Sequence, residues 1–166
     1  TKRKSDLRTE FKKSRGSIGM ETFKIYNKIT EPSAADKEEV ISFLFQHLQE
    51  YGDKKEDIGK CFDFAVRDSN EGLGGFVLML LENEEIMGAT IVNKTGMAGY
   101  IPENILVYIA VHENARGKGI GKKLMNKAIE LADGDIALHV EPNNPAKFLY
   151  EKLGFENKYL EMRLKK

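Results

Sequence analysis

The stretch Val107-Tyr-Ile-Ala-Val-His-Glu-Asn-Ala-Arg-Gly-Lys-Gly-Ile-Gly-Lys-Lys-Leu-Met-Asn-Lys-Ala-Ile-Glu-Leu131 decides how this chain is read. Its first residues are nearly all apolar, as in a strand covered on both faces. A polar turn follows, then a glycine-punctuated loop, then residues with the apolar spacing of a helix at Ile120, Leu124, Ala128 and Leu131. Strand, basic glycine loop and helix together form a recipe for holding a phosphate. Glycines let the backbone approach closely, and the first-turn amides of a helix are donors without an internal partner. Arg116, Lys118 and Lys122 add positive charge.

The rest of the composition sets bounds. The 166 residues suffice for one domain with its own core, and 41% apolar with 31% charged side chains describes a globular chain. With 26 basic and 26 acidic side chains the net charge is zero, so no global field pulls toward nucleic acid or an anionic membrane. One cysteine, Cys61, cannot form an internal disulfide, and three histidines leave little for a metal site. No apolar run reaches the length of a membrane span. The expectation is a cytoplasmic protein without metal, with Cys61 as a core thiol.

Outward from that stretch, residues 1–19 stand apart. The first fifteen positions hold seven basic and two acidic side chains, with only Leu7 and Phe11 to anchor them. They read as an extension, flexible or packed as a short helix, ahead of a single domain at 20–166. Nucleic-acid binding through this arm is the disfavoured alternative. Phe23 and Ile25 mark a first strand, and Val40, Leu44 and Leu48 a helix capped by Ser33 or Asp36. A second helix covers Glu56–Asp68. Phe76–Leu81 and Ile86–Val92 read as a hairpin, with Gly88 marking a bulge or a close backbone approach. After the central stretch come a strand at Ile136–Val140, a helix opened by Asn143 or Asn144 and closed by Gly154, and one or two short strands from Phe155 to Leu164. The order β-α-α-β-β-β-α-β-α-β is an α/β mixed sheet with helices on both faces.

On chemistry alone the glycine loop is ambiguous. A dinucleotide fingerprint lacks its acidic partner at the end of a following strand, and Gly121-Lys122-Lys123 lacks the hydroxyl of a triphosphate loop. A phosphate or pyrophosphate cradle remains. Here Val111–Gly121 resembles the acetyl-CoA signature of the GNAT family of N-acetyltransferases, Gln/Arg-x-x-Gly-x-Gly/Ala, with Arg116, Gly119 and Gly121 in the defining places. A second family pattern, Asn-x-x-Ala-x-x-Leu-Tyr-x-x-x-Gly-Phe, is matched by Asn143, Ala146, Leu149, Tyr150, Gly154 and Phe155.

The resemblance implies a GNAT-like acyltransferase fold over most of the chain, with acetyl-CoA as cofactor. It implies that Arg116, Gly117, Lys118, Gly119, Ile120, Gly121 and Lys122 hold the pyrophosphate. The backbone of Ile109, Ala110 and Val111 would take the pantetheine arm, with Asn143 and Tyr150 beside it. Tyr150 would be the general acid. Glu103 and Glu141 are the candidate bases, with His112 behind them, and Tyr108 and Tyr100 are candidates for the acceptor side. The implied reaction is acetyl transfer to a primary amine, of a small molecule or a protein, by direct attack. A catalytically silent acyl-CoA-binding module is the alternative. A homodimer fits the class, but no interface is legible.

Overall fold

The computed structural model describes residues 11–12, 20–67 and 73–166. Ten regular elements are described. They are β1 (Phe11–Lys12), β2 (Glu21–Tyr26), α1 (Ala34–Leu48), α2 (Lys55–Val66), β3 (Gly75–Glu82), β4 (Glu85–Lys94), β5 (Asn104–Val111), α3 (Ile120–Leu131), β6 (Ile136–Leu138) and α4 (Ala146–Lys152). The strands form one sheet in the order β1-β2-β3-β4-β5-β6, antiparallel until the parallel β5–β6 pair. α3 is the crossover that a parallel pair requires.

Local chemistry explains the elements. Ser33 caps α1 in a full capping box: its hydroxyl accepts from Asp36 N while the Asp36 carboxylate accepts from Ser33 N. Asn83 and Glu84 both take positive φ, 51° and 65°, which turns β3 into β4 in two residues. Gly88 is a close approach. A Cβ there would lie 2.5 Å from Leu124 Cδ1 and 3.0 Å from Ile120 Cγ2, so its bare backbone is what lets α3 settle on β4. The bulge falls next to it, where Leu80 pairs with Gly88 but Leu81 with Ile86.

Two cores flank the sheet. On one face α1 and α2 bury Leu44, Ile58 and Phe62 against Val77, Met79 and Ile91. On the other, α3 and α4 cover Leu78, Leu80, Val92 and Leu106 with Leu124, Met125 and Tyr150. Each such fully buried Leu, Ile or Phe contributes about 1.5–3 kcal/mol relative to exposure.

Two expectations need correction. Within 1–19, Phe11 and Lys12 pair with Thr22 and Glu21 as a short strand, not a helix; the rest of that expectation lies outside the described residues. The strand expected after α4 is absent: residues 156–166 have no regular structure and are exposed throughout. Period-two apolar spacing makes a segment able to pair, but a strand forms only where an edge meets it.

Candidate active site

The central strand carries a change of register. Ile91 of β4 pairs with Tyr108, but Val92 pairs with Leu106, so Val107 is the extra residue of a bulge. The slip reverses side-chain parity along β5. Leu106 lies in the α3/α4 core, whereas Val107, Tyr108 and Ala110 all pack on the α1/α2 side. Tyr108 is thereby aimed at the loop between α1 and α2, where its hydroxyl donates to Asp53 Oδ2 at 2.5 Å.

The parallel pair is short, and this opens a wedge. β5 and β6 share a ladder only from Asn104–Ile136 to Leu106–Leu138. β5 continues to Val111, so the edge of Val107–Val111 that faces β6 runs on without a ladder partner. Ile109, Ala110 and Val111 are among these residues, with unpaired backbone groups facing the opening. Tyr51 bridges the far side, its hydroxyl donating to the Asn143 carbonyl at 3.3 Å.

The glycine loop stands at the end of β5. Gly117 and Gly119 adopt φ of 79° and 76°, and a Cβ on either would meet nothing within 4 Å. Gly119 is the N-cap of α3, and the amides of Gly117–Lys122 have no acceptor among the described residues. A Cβ on Gly121 would lie 3.4 Å from Leu149 Cδ2 and 3.7 Å from Val111 Cγ2, so this loop faces both the end of β5 and α4. Arg116 donates to the His47 carbonyl at 3.2 Å, which ties the loop to the last turn of α1. Lys118 and Lys122 are exposed. The open space, the converging unpaired amides and the nearby cations suit a pyrophosphate.

Tyr150 is 7% exposed, in the α3/α4 core, with the Phe155 ring 6.1 Å away. Burial pushes its phenol up to about 12, so it remains protonated at neutral pH. Its hydroxyl has no hydrogen-bond partner among the described residues and is not sealed from the surface.

The two candidate carboxylates part company. Glu103 precedes β5, at the closed end of the wedge, and its Oε2 accepts Asp135 N at 2.6 Å. Backbone amides, its own first and then that of Asp135, hold its carboxyl below the usual range. It fastens the turn between α3 and β6 and is not brought to the wedge. Glu141 lies at the exit of β6, exposed and close enough to Tyr51 to help raise its phenol pKa, behind the larger effects of burial and Glu50. His112 caps the turn after β5 by accepting Asn114 N at 3.1 Å, and its ring stacks on His47 at 4.3 Å. Tyr100 is 78% exposed, in the loop before β5.

Two residues escaped the sequence reading. Asp53 had no signal, being one acid among several in a loop. His139 had one: Leu138 and Val140 both pack in the α3/α4 core, and His139 between them is exposed just after β6. Cys61 is half-buried, accepts from Asn93 Nδ2 at 3.4 Å, and has its thiol pushed up to about 12 by burial, which suits an inert core thiol. No group of residues suited to a metal ion occurs among the described residues, and none of their helices is long and apolar enough to cross a membrane. A groove of about 400 Å³ lined by Lys24, Glu39, Met79 and Ile86 lies toward the other edge of the sheet and includes none of the wedge residues.

The family model for the acetyltransferase (GNAT) family matches residues 34–155. A [ribosomal protein bS18]-alanine N-acetyltransferase of Haemophilus influenzae is 34% identical over 98 residues, covering 57% of this chain. The chain spans 64% of that relative's length, less than two thirds. Among solved structures, the aminoglycoside N-acetyltransferase AAC(6')-Iy in complex with CoA superposes with a TM-score of 0.66 at 14% identity, over 91% of this chain and 97% of that one. A ribosomal-protein-alanine N-acetyltransferase from Brucella melitensis biovar Abortus 2308 gives 0.60 at 18% identity, over 87% and 98%. At such identities the structural matches speak for the fold.

Proposed function

We propose that this chain, which belongs to the acetyltransferase (GNAT) family, moves the acetyl group of acetyl-CoA onto a primary amine by direct attack. The carrying observation is the wedge. The β5–β6 ladder ends at Leu106–Leu138, the loop of Gly117–Lys122 with its unpaired amides follows the bare end of β5, and Tyr150 packs in the same core cluster as Ile109 and Val111.

The parts fit the chemistry. The amides and Arg116 would hold the pyrophosphate, and the β5 edge would take the amide groups of the pantetheine arm as a strand would. When bound, acetyl-CoA supplies an activated thioester. Tyr150 keeps its proton at the phenol oxygen at neutral pH and can deliver it to a departing thiolate. His139 and Glu141, exposed at the β6 exit, would take the amine's proton. The α1/α2 side, with Asp53, Tyr108 and Tyr51, is where the acceptor enters. A carboxylate there favours an acceptor that arrives as an ammonium, whether a small amine or the amino terminus of a protein.

The test is a screen of purified protein with acetyl-CoA, reading free thiol, against small amines and peptides with free amino termini. Amine-dependent thiol release supports the reading. Coenzyme A binding without release for any amine would favour the silent binding module.

A further inference from the structure

We infer that the buried hydroxyl of Thr90 is a positioning group for acetyl transfer. It fixes the peptide unit between Tyr108 and Ile109, which joins the acceptor side of β5 to its cofactor side.

Thr90 lies in the middle of β4 and is 0% exposed. Ala89 and Ile91 on either side pack with α1 and α2, whereas its ladder partners Leu78 and Ile109 pack with α3 and α4. By strand alternation its side chain stands in the α3/α4 layer. A hydroxyl among apolar neighbours is costly unless it is bonded, and valine would fill the same space. This one donates to the Tyr108 carbonyl at 2.7 Å.

That carbonyl belongs to the residue after the bulge at Val107, where the strand re-aims its side chains. Before it, the Tyr108 phenol reaches into the α1/α2 layer and donates to Asp53. After it comes Ile109, which opens the cofactor edge. Thr90 thus grips β5 from the layer opposite the phenol.

The ladder fixes where the next amide points. His112 N donates to the Met87 carbonyl at 2.8 Å, so these two form a hydrogen-bonded pair. Such pairs alternate, which makes Ala89–Ala110 and Ile91–Tyr108 the next two and leaves Thr90–Ile109 unbonded between them. The backbone groups of Ile109 therefore turn from β4 toward the stretch where β6 no longer pairs. In a trans peptide the carbonyl and the N–H of one unit are antiparallel. Thr90 holds the Tyr108 carbonyl at one end of that rigid plane, and the Ile109 N–H at the other end points into the wedge. A hydrogen bond to the carbonyl also polarises the N–H and strengthens it as a donor.

The inference rests on the acetyl-transfer reading. Acyl transfer builds negative charge on a carbonyl oxygen, and a fixed N–H aimed at that charge lowers the barrier. Being fully buried, Thr90 acts only through the peptide it holds.

The test compares three variants. Thr90→Val deletes the hydroxyl and keeps the volume, Thr90→Ser keeps the hydroxyl and deletes the methyl, and Thr90→Ala deletes both. The Ile109 amide is read by nitrogen–proton NMR on the chain without cofactor. Thiol release gives kcat, and calorimetry gives coenzyme A affinity. Thr90→Val should move the Ile109 nitrogen upfield and lower kcat about tenfold, less than the 10²–10³ of losing a direct donor, with coenzyme A affinity unchanged. Thr90→Ser should keep the resonance and kcat of the wild type while lowering Tm. A purely structural Thr90 would make kcat follow Tm instead. If Thr90→Val does not fold by circular dichroism, Thr90→Ser and Thr90→Ala, which differ by the hydroxyl alone, make the same comparison. An Ile109 resonance that stays in place without the hydroxyl, or a kcat that follows Tm, would overturn the inference. A wild-type chain that releases no thiol with any amine overturns the acetyl-transfer reading instead, and the resonance still decides whether Thr90 fixes the peptide.

Discussion

The Tyr108 phenol donates to the Asp53 carboxylate at 2.5 Å, joining the middle of the central strand to the loop between the first two helices. Burial, and then the Asp53 carboxylate itself, raise the Tyr108 phenol well above its ordinary range, so the tyrosine keeps its proton. Tyr108→Phe frees the loop. A hydrogen bond to a partly solvated carboxylate is worth about 1 kcal/mol, so thermal unfolding should fall by a few degrees. Asp53→Asn keeps a partner for Tyr108 but removes the charge. Its acceptor KM should rise about tenfold while acetyl-CoA affinity holds, measured by steady-state kinetics and calorimetry. A rise in both would make the pair a structural latch alone.

Tyr150→Phe should lower kcat by a factor on the order of 10² to 10⁴ with a much smaller change in acetyl-CoA affinity. Because the Tyr150 phenol is pushed up to about 12, the wild-type rate should show no alkaline limb from this group below about pH 10. An unchanged kcat in the phenylalanine variant would remove Tyr150 from the mechanism.

His47 is 5% exposed, with the Phe43 and His112 rings tilted against it at 4.5 Å and 4.3 Å. Burial first, then His112, lowers its pKa from the ordinary 6.5, with Arg116 acting in the same direction and Glu113 against it. The folded state therefore binds this proton less tightly than the unfolded chain. The stability it confers is present above about pH 6.5 and is lost as pH falls through the lower, folded value. Tm measured from pH 8 to pH 5 should decline below that point, and His47→Gln should flatten the decline. Since Arg116 donates to the His47 carbonyl, acetyl-CoA affinity should weaken over the same range.

Gly119→Ala places a side chain at φ 76°, which costs about 1–2 kcal/mol in backbone strain although nothing stands within 4 Å to clash. The loop should relax and acetyl-CoA affinity fall roughly tenfold, with little change in the acceptor dependence. Gly88→Ala makes the opposite case. It should cost about 1–3 kcal/mol of stability by pushing α3 from β4. Isothermal titration and thermal melts on the two variants separate binding from packing.

Much of this was legible along the chain. The apolar periods of α1, α2 and α3, the capping box at Ser33 and the glycine loop are local patterns whose physics acts over a few residues. They predicted the element order from β2 to α4 and the flanking of the sheet by helices, and they marked the glycine loop as the candidate pyrophosphate cradle. Ile105–Val111 is apolar at nearly every position, so no alternation revealed that a bulge at Val107 turns Tyr108 toward α1 and α2. Glu103 looked as available as Glu141 until the turn at Asp135 claimed its carboxylate. The strand expected at Tyr159–Leu164 has the right pattern but pairs with no edge of the sheet.

The sequence by itself determined the helices and strands from β2 to α4 and singled out the glycine loop as a candidate anion site, because backbone preference and side-chain period are properties of neighbours in the chain. Only the tertiary structure decided that Glu103 is held in a turn, which way Tyr108 points and where β5 parts from β6. These depend on register and on partners brought from far along the chain: Tyr108 with Asp53, Glu103 with Asp135, Tyr51 with Asn143. Pairing at a distance leaves no trace in the period of either partner.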